Sequence, residues 1–318
     1  MRVLVTGAAG FIGSTTAELL LDEGHDVVAL DDLSSGARAN VPPRAHFVEG
    51  RCGDATLVEG LGPFDACVHF AGRIEPAISM ERPEVFFDVN VAQTLQLLRA
   101  LVEGGCPRVV FSSSAAVYGN QVAMPIDEDQ PVSPESPYGE SKLAIERALH
   151  WLCDRGRLRA ASLRYFNAAG ATPAHPERHA PEIHLIPLAL DAALGRRDGL
   201  DLYGDDYPTH DGTCVRDYVH VSDLARAHSL AIAALADHRE LVLNLGSGVG
   251  HSNHEVIDAV RAVTGVDFAV RVAPRRSGDP AEAVASNDRA RAMLGWTIEH
   301  ASLEGIVADA FEARRNVA

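Results

Sequence analysis

The chain has few cysteines and no pattern among them. The five, Cys52, Cys67, Cys106, Cys153 and Cys214, are scattered, with no Cys-x-x-Cys. That argues against a disulfide or zinc framework and suits reduced thiols in a cytoplasm. Basic residues are also short: the formal net charge is −16. Nucleic-acid binding needs cations that replace phosphate counterions, so no nucleic-acid partner is expected. No apolar run approaches the roughly 18 residues of a membrane span, so no membrane partner is expected either. The opening stretch MRVLVTG enters a strand pattern at once, so no signal peptide is expected. The histidine pairs His175/His179 and His251/His254 have no clear third ligand, so loop polarity rather than a metal is expected.

What is present is a patterned, core-forming chain of 318 residues, 47% of them hydrophobic. The strand-like runs RVLVTG, DVVALDD, DACVHFAG, RVVFSSS and RAASLRYFN alternate with helix-length segments. Such alternation gives a parallel sheet covered on both faces. After Asn167 the pattern loosens into a stretch rich in Pro, His and Gly, followed by two further helical patterns. The first of these is expected to be capped by Ser222 or Asp223. The expected fold is therefore α/β, a Rossmann-type doubly wound parallel sheet with a smaller mixed α/β substrate domain. Residues 1–166, with 215–247 crossing back, would form the dinucleotide-binding domain, and 167–214 with 248–318 the substrate domain.

VTGAAGFIG sets Gly7, Gly10 and Gly13 at the turn from the first strand into the first helix. Glycines there let the backbone approach a pyrophosphate, whose charge meets the positive end of the helix dipole. Asp31 ends the next strand, where a carboxylate accepts from a ribose 2′-hydroxyl and repels a 2′-phosphate, so NAD is expected. Asp32 reads as a turn former with Ser34, Ser35 and Gly36.

RVVFSSS ends a strand in serines, and SPYGESK follows with Tyr138 and Lys142 four positions apart. A helix starting near Pro137 puts those two side chains on one face. A free phenol has a pKa of about 10, so about one molecule in a thousand is ionised at pH 7. A nearby ammonium is expected to lower that value and make Tyr138 a usable general base.

The glycine loop, SSSAAVYG and SPYGESK together resemble the extended short-chain dehydrogenase/reductase superfamily. LRYFNAAGA, HLIPLALDAALGRR and LYGDDYPTHDGTCVRDYVHVSDLARAH narrow the resemblance to the UDP-glucose (UDP-galactose) 4-epimerase family. The resemblance implies epimerisation at C4 of a UDP-hexose through a transient 4-keto sugar, with NAD retained. It implies Tyr138 as base and later acid, Lys142 as the group that tunes it and holds the nicotinamide ribose, and Ser114 on the C4 oxygen. On the cofactor side it implies Phe11, Ile12, Asp31, Phe70, Asn90 and Phe166, with Asp32, Ser35, Gly36, Ala71 and Ser112 beside them.

On the substrate side the resemblance implies Asn167, His184 and Leu185 near the diphosphate and uridine, and Tyr203 nearby. Arg216 and Arg276 would clamp the diphosphate, and Asp279 would meet the uridine ribose. Ala283 stands where the family limits the C2 substituent, leaving room for an N-acetyl group. Related dehydratases carry Asp-Glu where this chain has Ala115-Ala116, and alanine transfers no proton. The resemblance also implies a homodimer, through the helix near 84–103 and the helix after Tyr138. The chain departs from the family at Arg51-Cys52, Ile74, Val89 and Gln93, all on the cofactor side. A 4-epimerase of a UDP-uronic acid or UDP-pentose, and a non-catalytic NAD-binding regulator, remain as alternatives.

Overall fold

A computed structural model gives the fold and describes residues 1–121, 123–179, 181–276 and 278–316. Seven parallel strands make the main sheet: β1 (Arg2–Thr6), β2 (Asp26–Asp31), β3 (His46–Glu49), β4 (Ala66–His69), β5 (Arg108–Ser114), β6 (Arg159–Tyr165) and, much later in the chain, β10 (Glu240–Leu245). Their order is β10-β6-β5-β4-β1-β2-β3, so the winding reverses beside β1. Between β6 and β10 come β7 (Asn167–Ala169), β8 (Leu200–Tyr203) and β9 (Val215–His220). After β10 follow β11 (Gly250–Ser252), β12 (Val270–Ala273) and β13 (Glu282–Ala283). Strand β9 is the axis of a small mixed sheet with β7, β11 and β13, and β8 pairs β12.

Both faces of the main sheet are apolar, because successive strand residues point to opposite sides. Val3 and Val5 belong to the core under α1 (Phe11–Asp22) and α8 (Val221–Ala234). Leu4 belongs to the opposite core, with α2 (Ala55–Gly60), α5 (Gln93–Glu103) and α6 (Pro137–Asp154). Helices α3 (Pro76–Glu81) and α4 (Pro83–Phe86) precede α5. From α4 the chain runs on through a π-turn, Phe87–Ala92, into α5. A third core gathers α7 (Leu185–Ala193), α9 (Asn253–Thr264) and α11 (Leu303–Arg315) around β8.

Three expectations need adjusting. The continuous helix Pro83–Glu103, 21 residues long, is by length and composition apolar enough to cross a membrane. Its polar residues interrupt the run in sequence, but Phe86, Leu97, Leu98 and Leu101 still make one apolar face, which is buried. Helix α8 begins two to three residues earlier than expected, and its cap is His220, whose Nδ1 accepts from the Ser222 N–H at 3.1 Å. Asp223 is instead fully buried, where it accepts from the Glu299 and His300 N–H groups.

The return to the main sheet is made by α8 and β10, whereas 215–220 pair within the small sheet. Helix α10 (Asp288–Leu294) and Trp296, expected with the second domain, pack on the core under α8. The Trp296 indole donates to the Asp223 carbonyl at 2.8 Å, which gives its buried N–H a partner there.

Candidate active site

A cleft of about 920 Å³ runs along the carboxyl ends of the main-sheet strands, under the residues of the small sheet. At its floor the turn after β1 closes through the Gly10 N–H and the Gly7 carbonyl at 3.1 Å. Gly7 has φ of +69°, and a Cβ on Gly13 would lie 2.1 Å from the Gly7 oxygen. Among the described residues no side chain caps the start of α1, so its first N–H groups are free donors for an anion. A close-approach backbone and uncapped donors fit a dinucleotide pyrophosphate.

Asp31 ends β2 on this cleft. Its two oxygens accept from the Ala9 N–H at 2.9 Å and the Leu33 N–H at 2.8 Å. Burial pushes its carboxyl up, against those two bonds. Asp32 accepts from the Ser34 N–H at 3.0 Å and lies 3.9 Å from Arg51. Ser35 and Gly36 line the cleft beside it, as do Phe11, Ile12, Phe70, Ala71, Ser112 and Phe166.

Asn90 and Lys142 stand behind this wall rather than on it. Asn90 accepts from the Arg73 N–H at 2.7 Å and donates to the Arg73 carbonyl and the Ser141 hydroxyl, both at 3.0 Å. It thereby fastens the turn after β4 to α6.

Ser136 caps α6 and Pro137 opens it, so Tyr138 enters the cleft from the first turn. Ser114, the last residue of β5, lines the same cleft. Burial pushes the Tyr138 phenol up, the Ser114 side chain opposes this, and the Glu75 carboxylate adds to it. The expected lowering by Lys142 is not found: burial, Ser114 and Glu75 set the shift, and its direction is upward. The Lys142 ammonium lies 5.9 Å from the centre of the Tyr138 ring and donates to the Ser112 carbonyl instead.

The other wall carries Asn167, His184, Leu185, Tyr203, Arg216, Arg276, Asp279 and Ala283, so the cleft brings all the expected substrate-side residues together. His184 shares a 2.8 Å hydrogen bond with Glu182, which holds its imidazole above the usual value despite burial. The Arg276 guanidinium stacks 3.8 Å from the centre of the Tyr203 ring. Arg216 lies 4.0 Å from Asp279 and opposite Ala283 in the strand register.

Several lining residues carry no signal in the sequence. Glu75 is almost fully buried and lies 3.3 Å from His179, which is therefore an acid's partner. Arg73 and Arg178 also line the cleft. All four lie in irregular segments, where no periodicity marks a side chain as facing inward.

A doubly wound parallel sheet with a glycine cradle, and a Tyr-x-x-x-Lys helix facing a serine-ended strand, define a dinucleotide-dependent enzyme of the short-chain dehydrogenase/reductase type. The model of the NAD dependent epimerase/dehydratase family matches residues 3–246, and the chain belongs to that family. It is 45% identical over 312 residues to the UDP-glucose 4-epimerase of Corynebacterium glutamicum, covering 98% of this chain and 95% of that one. The crystal structure of UDP-glucose 4-epimerase from Brucella ovis in complex with NAD superposes with a TM-score of 0.94. It is 41% identical and matches over 98% of each chain. That from Bifidobacterium longum, in complex with NAD+ and UDP, gives 0.95 at 34% identity, over 100% of this chain and 99% of that one.

Proposed function

We propose that the protein interconverts UDP-hexoses at C4 with NAD as its cofactor, and that Tyr138 moves the proton. The observation that carries this reading is that Tyr138 and Ser114 line one cleft with both the glycine cradle and the two arginines. Ser114 donates to the C4 oxygen of the sugar. Tyr138 takes the proton from that oxygen as the C4–H bond breaks, and returns it once the sugar has presented its other face. NAD, when bound, supplies the hydride acceptor and donor for that carbon. Ala115 and Ala116 follow Ser114. Neither can transfer a proton, so the 4-keto sugar is not steered into loss of water.

Arg216 and Arg276 take the UDP diphosphate, for which planar forks of N–H donors are suited. Asn167, His184, Leu185, Tyr203 and Asp279 complete the nucleotide side. Ala283 leaves room beside Arg216, so UDP-N-acetylhexosamines are accepted with UDP-glucose and UDP-galactose. All five cysteines are free and buried, which suits the reducing cytoplasm.

The active form is a homodimer. Phe87 and Leu95 on the helix Pro83–Glu103, and Trp151 on α6, are 43%, 44% and 60% exposed. Two neighbouring helices that present such a stripe bury it against a second copy. The test is product analysis with UDP-galactose, UDP-GlcNAc and UDP-glucuronate, with and without added NAD. Tyr138→Phe is expected to lose activity by roughly 10²–10⁴-fold while remaining folded. Full activity in that variant would overturn the assignment.

A further inference from the structure

The glycine cradle carries no cationic side chain of its own: residues 7–13 read GAAGFIG. A dinucleotide pyrophosphate brings two negative charges to it, and the nearby carboxylates Asp31 and Asp32 add more. One arginine comes from the other side of the cleft. Arg178 sits on the irregular segment between β7 and α7, and this segment is strapped onto the turn that follows β2. The Asn40 amide donates to the Pro176 carbonyl at 3.3 Å, and Arg178 Nε donates to Asn40 Oδ1 at 3.0 Å. That turn is itself joined to the cradle through the Ala37 N–H and the Ala9 carbonyl at 3.0 Å.

Of the other cleft arginines, Arg276 stacks on the Tyr203 ring and the remaining three face carboxylates. Arg314 holds Asp191 at 2.6 Å, Arg73 lies 3.8 Å from Glu75, and Arg216 lies 4.0 Å from Asp279. Among the described residues, no carboxylate lies within ion-pair distance of Arg178, although it lines the cleft and is half-buried. A half-buried guanidinium with one N–H fixed by a neutral amide keeps its remaining donors for an anion.

We infer that Arg178 is a cofactor-binding residue that pairs with the NAD pyrophosphate from the strap side, an inference that rests on the NAD reading above. The Asn40 bond sets the plane of the guanidinium, and the strap then closes the cradle opposite the start of α1. The part of the ligand it recognises is the diphosphate, not the nicotinamide or adenine.

The test is calorimetric titration of protein stripped of nucleotide, with NAD, ADP-ribose and adenosine in turn. Arg178→Gln should weaken NAD and ADP-ribose alike, by tenfold or more on the scale of a charge-assisted hydrogen bond. It should leave adenosine unchanged, and the gap from wild type should narrow at about 1 M salt, where the Debye length is about 3 Å. Arg178→Lys, which keeps the charge, should recover most of the ADP-ribose affinity. An Arg178→Gln protein that binds ADP-ribose as wild type does, or that loses adenosine equally, overturns the inference. A wild type that binds neither NAD nor ADP-ribose overturns the NAD reading itself. If Arg178→Gln melts at a lower temperature than wild type, Arg178→Lys and Arg178→Met decide by the same comparison.

Discussion

The Lys142 ammonium donates to the Ser112 carbonyl at 2.8 Å, one turn of α6 beyond Tyr138, and only 3% of the residue is exposed. Lys142 is also the only lysine in the chain. Burial brings its ammonium down to about 8, and the Glu146 carboxylate opposes that shift. A lysine that is half-neutral near pH 8 is a tunable cation beside the phenol, where an arginine would be permanently charged. Labelling with lysine carrying ¹³C at Cε gives a single signal to titrate. Its midpoint is expected near 8, and a midpoint above 10 would contradict the buried placement.

The same burial sets a stability slope. In the unfolded chain the ammonium titrates near 10.5, and in the fold at about 8. Between those values the unfolded state holds the extra proton, so stability rises with pH through this window. Below pH 8 the buried charge carries its full cost. Lys142→Met is therefore expected to be the more stable protein at pH 7, by on the order of 1–3 kcal/mol, with the gap closing toward pH 10.5. Denaturant unfolding of both proteins across pH 7–10.5 measures it. A gap that stays constant or widens would refute the assignment.

Gly13 tests the cradle. A Cβ there would meet the Gly7 oxygen at 2.1 Å, a contact with backbone that no side-chain rotation relieves. Gly13→Ala is expected to push α1 away from the turn, costing about 1–3 kcal/mol of stability and most of the bound NAD. Nucleotide released on acid extraction of the purified protein reports this directly. Unchanged NAD content would mean that the turn does not hold the pyrophosphate.

The apolar stripe on α5 and α6 makes a separate prediction. Leu95 and Trp151 are both exposed, and they line one shallow groove with Leu98 and Val102. A double change, Leu95→Glu with Trp151→Glu, places charges where a second copy would bury them, which is strongly unfavourable. Light scattering is expected to show a dimer for the native protein and a monomer for the variant. A native monomer would remove the homodimer from the reading.

The sheet and the chemistry-bearing motifs were legible for a physical reason. Strand alternation, the glycine turn and the Tyr138–Lys142 spacing are local, and local spacing fixes which face a side chain occupies. Glu75, Arg178 and His179 could not be read in that way, because irregular backbone leaves no period from which to infer direction. The path of the chain between sheets was also hidden. Strand β9, VRDYVH, has no sequence pattern that assigns it to one sheet or the other, and only its pairing with β7, β11 and β13 places it. Trp296 joins the core under α8 through a long-range contact that no sequence period encodes. The ionisation of Tyr138 likewise depended on burial and on Glu75, neither of which the motif contains.

Ala283 carries the substrate question. It lies on β13, partly buried, lining the cleft and paired in register with Arg216. If Arg216 holds the diphosphate, the sugar attached to it passes close to Ala283, and the small methyl leaves space for a group on C2. Ala283→Tyr fills that space without touching Tyr138 or Ser114. Overpacking of a fitted site costs about 1–3 kcal/mol, or roughly 5–150-fold in kcat/KM. The loss is expected for UDP-GlcNAc, with UDP-glucose staying within a few-fold of the native value. Equal loss for both sugars would show that the tyrosine distorts Arg216 instead, and native turnover of UDP-GlcNAc in the variant would place the C2 group elsewhere in the cleft.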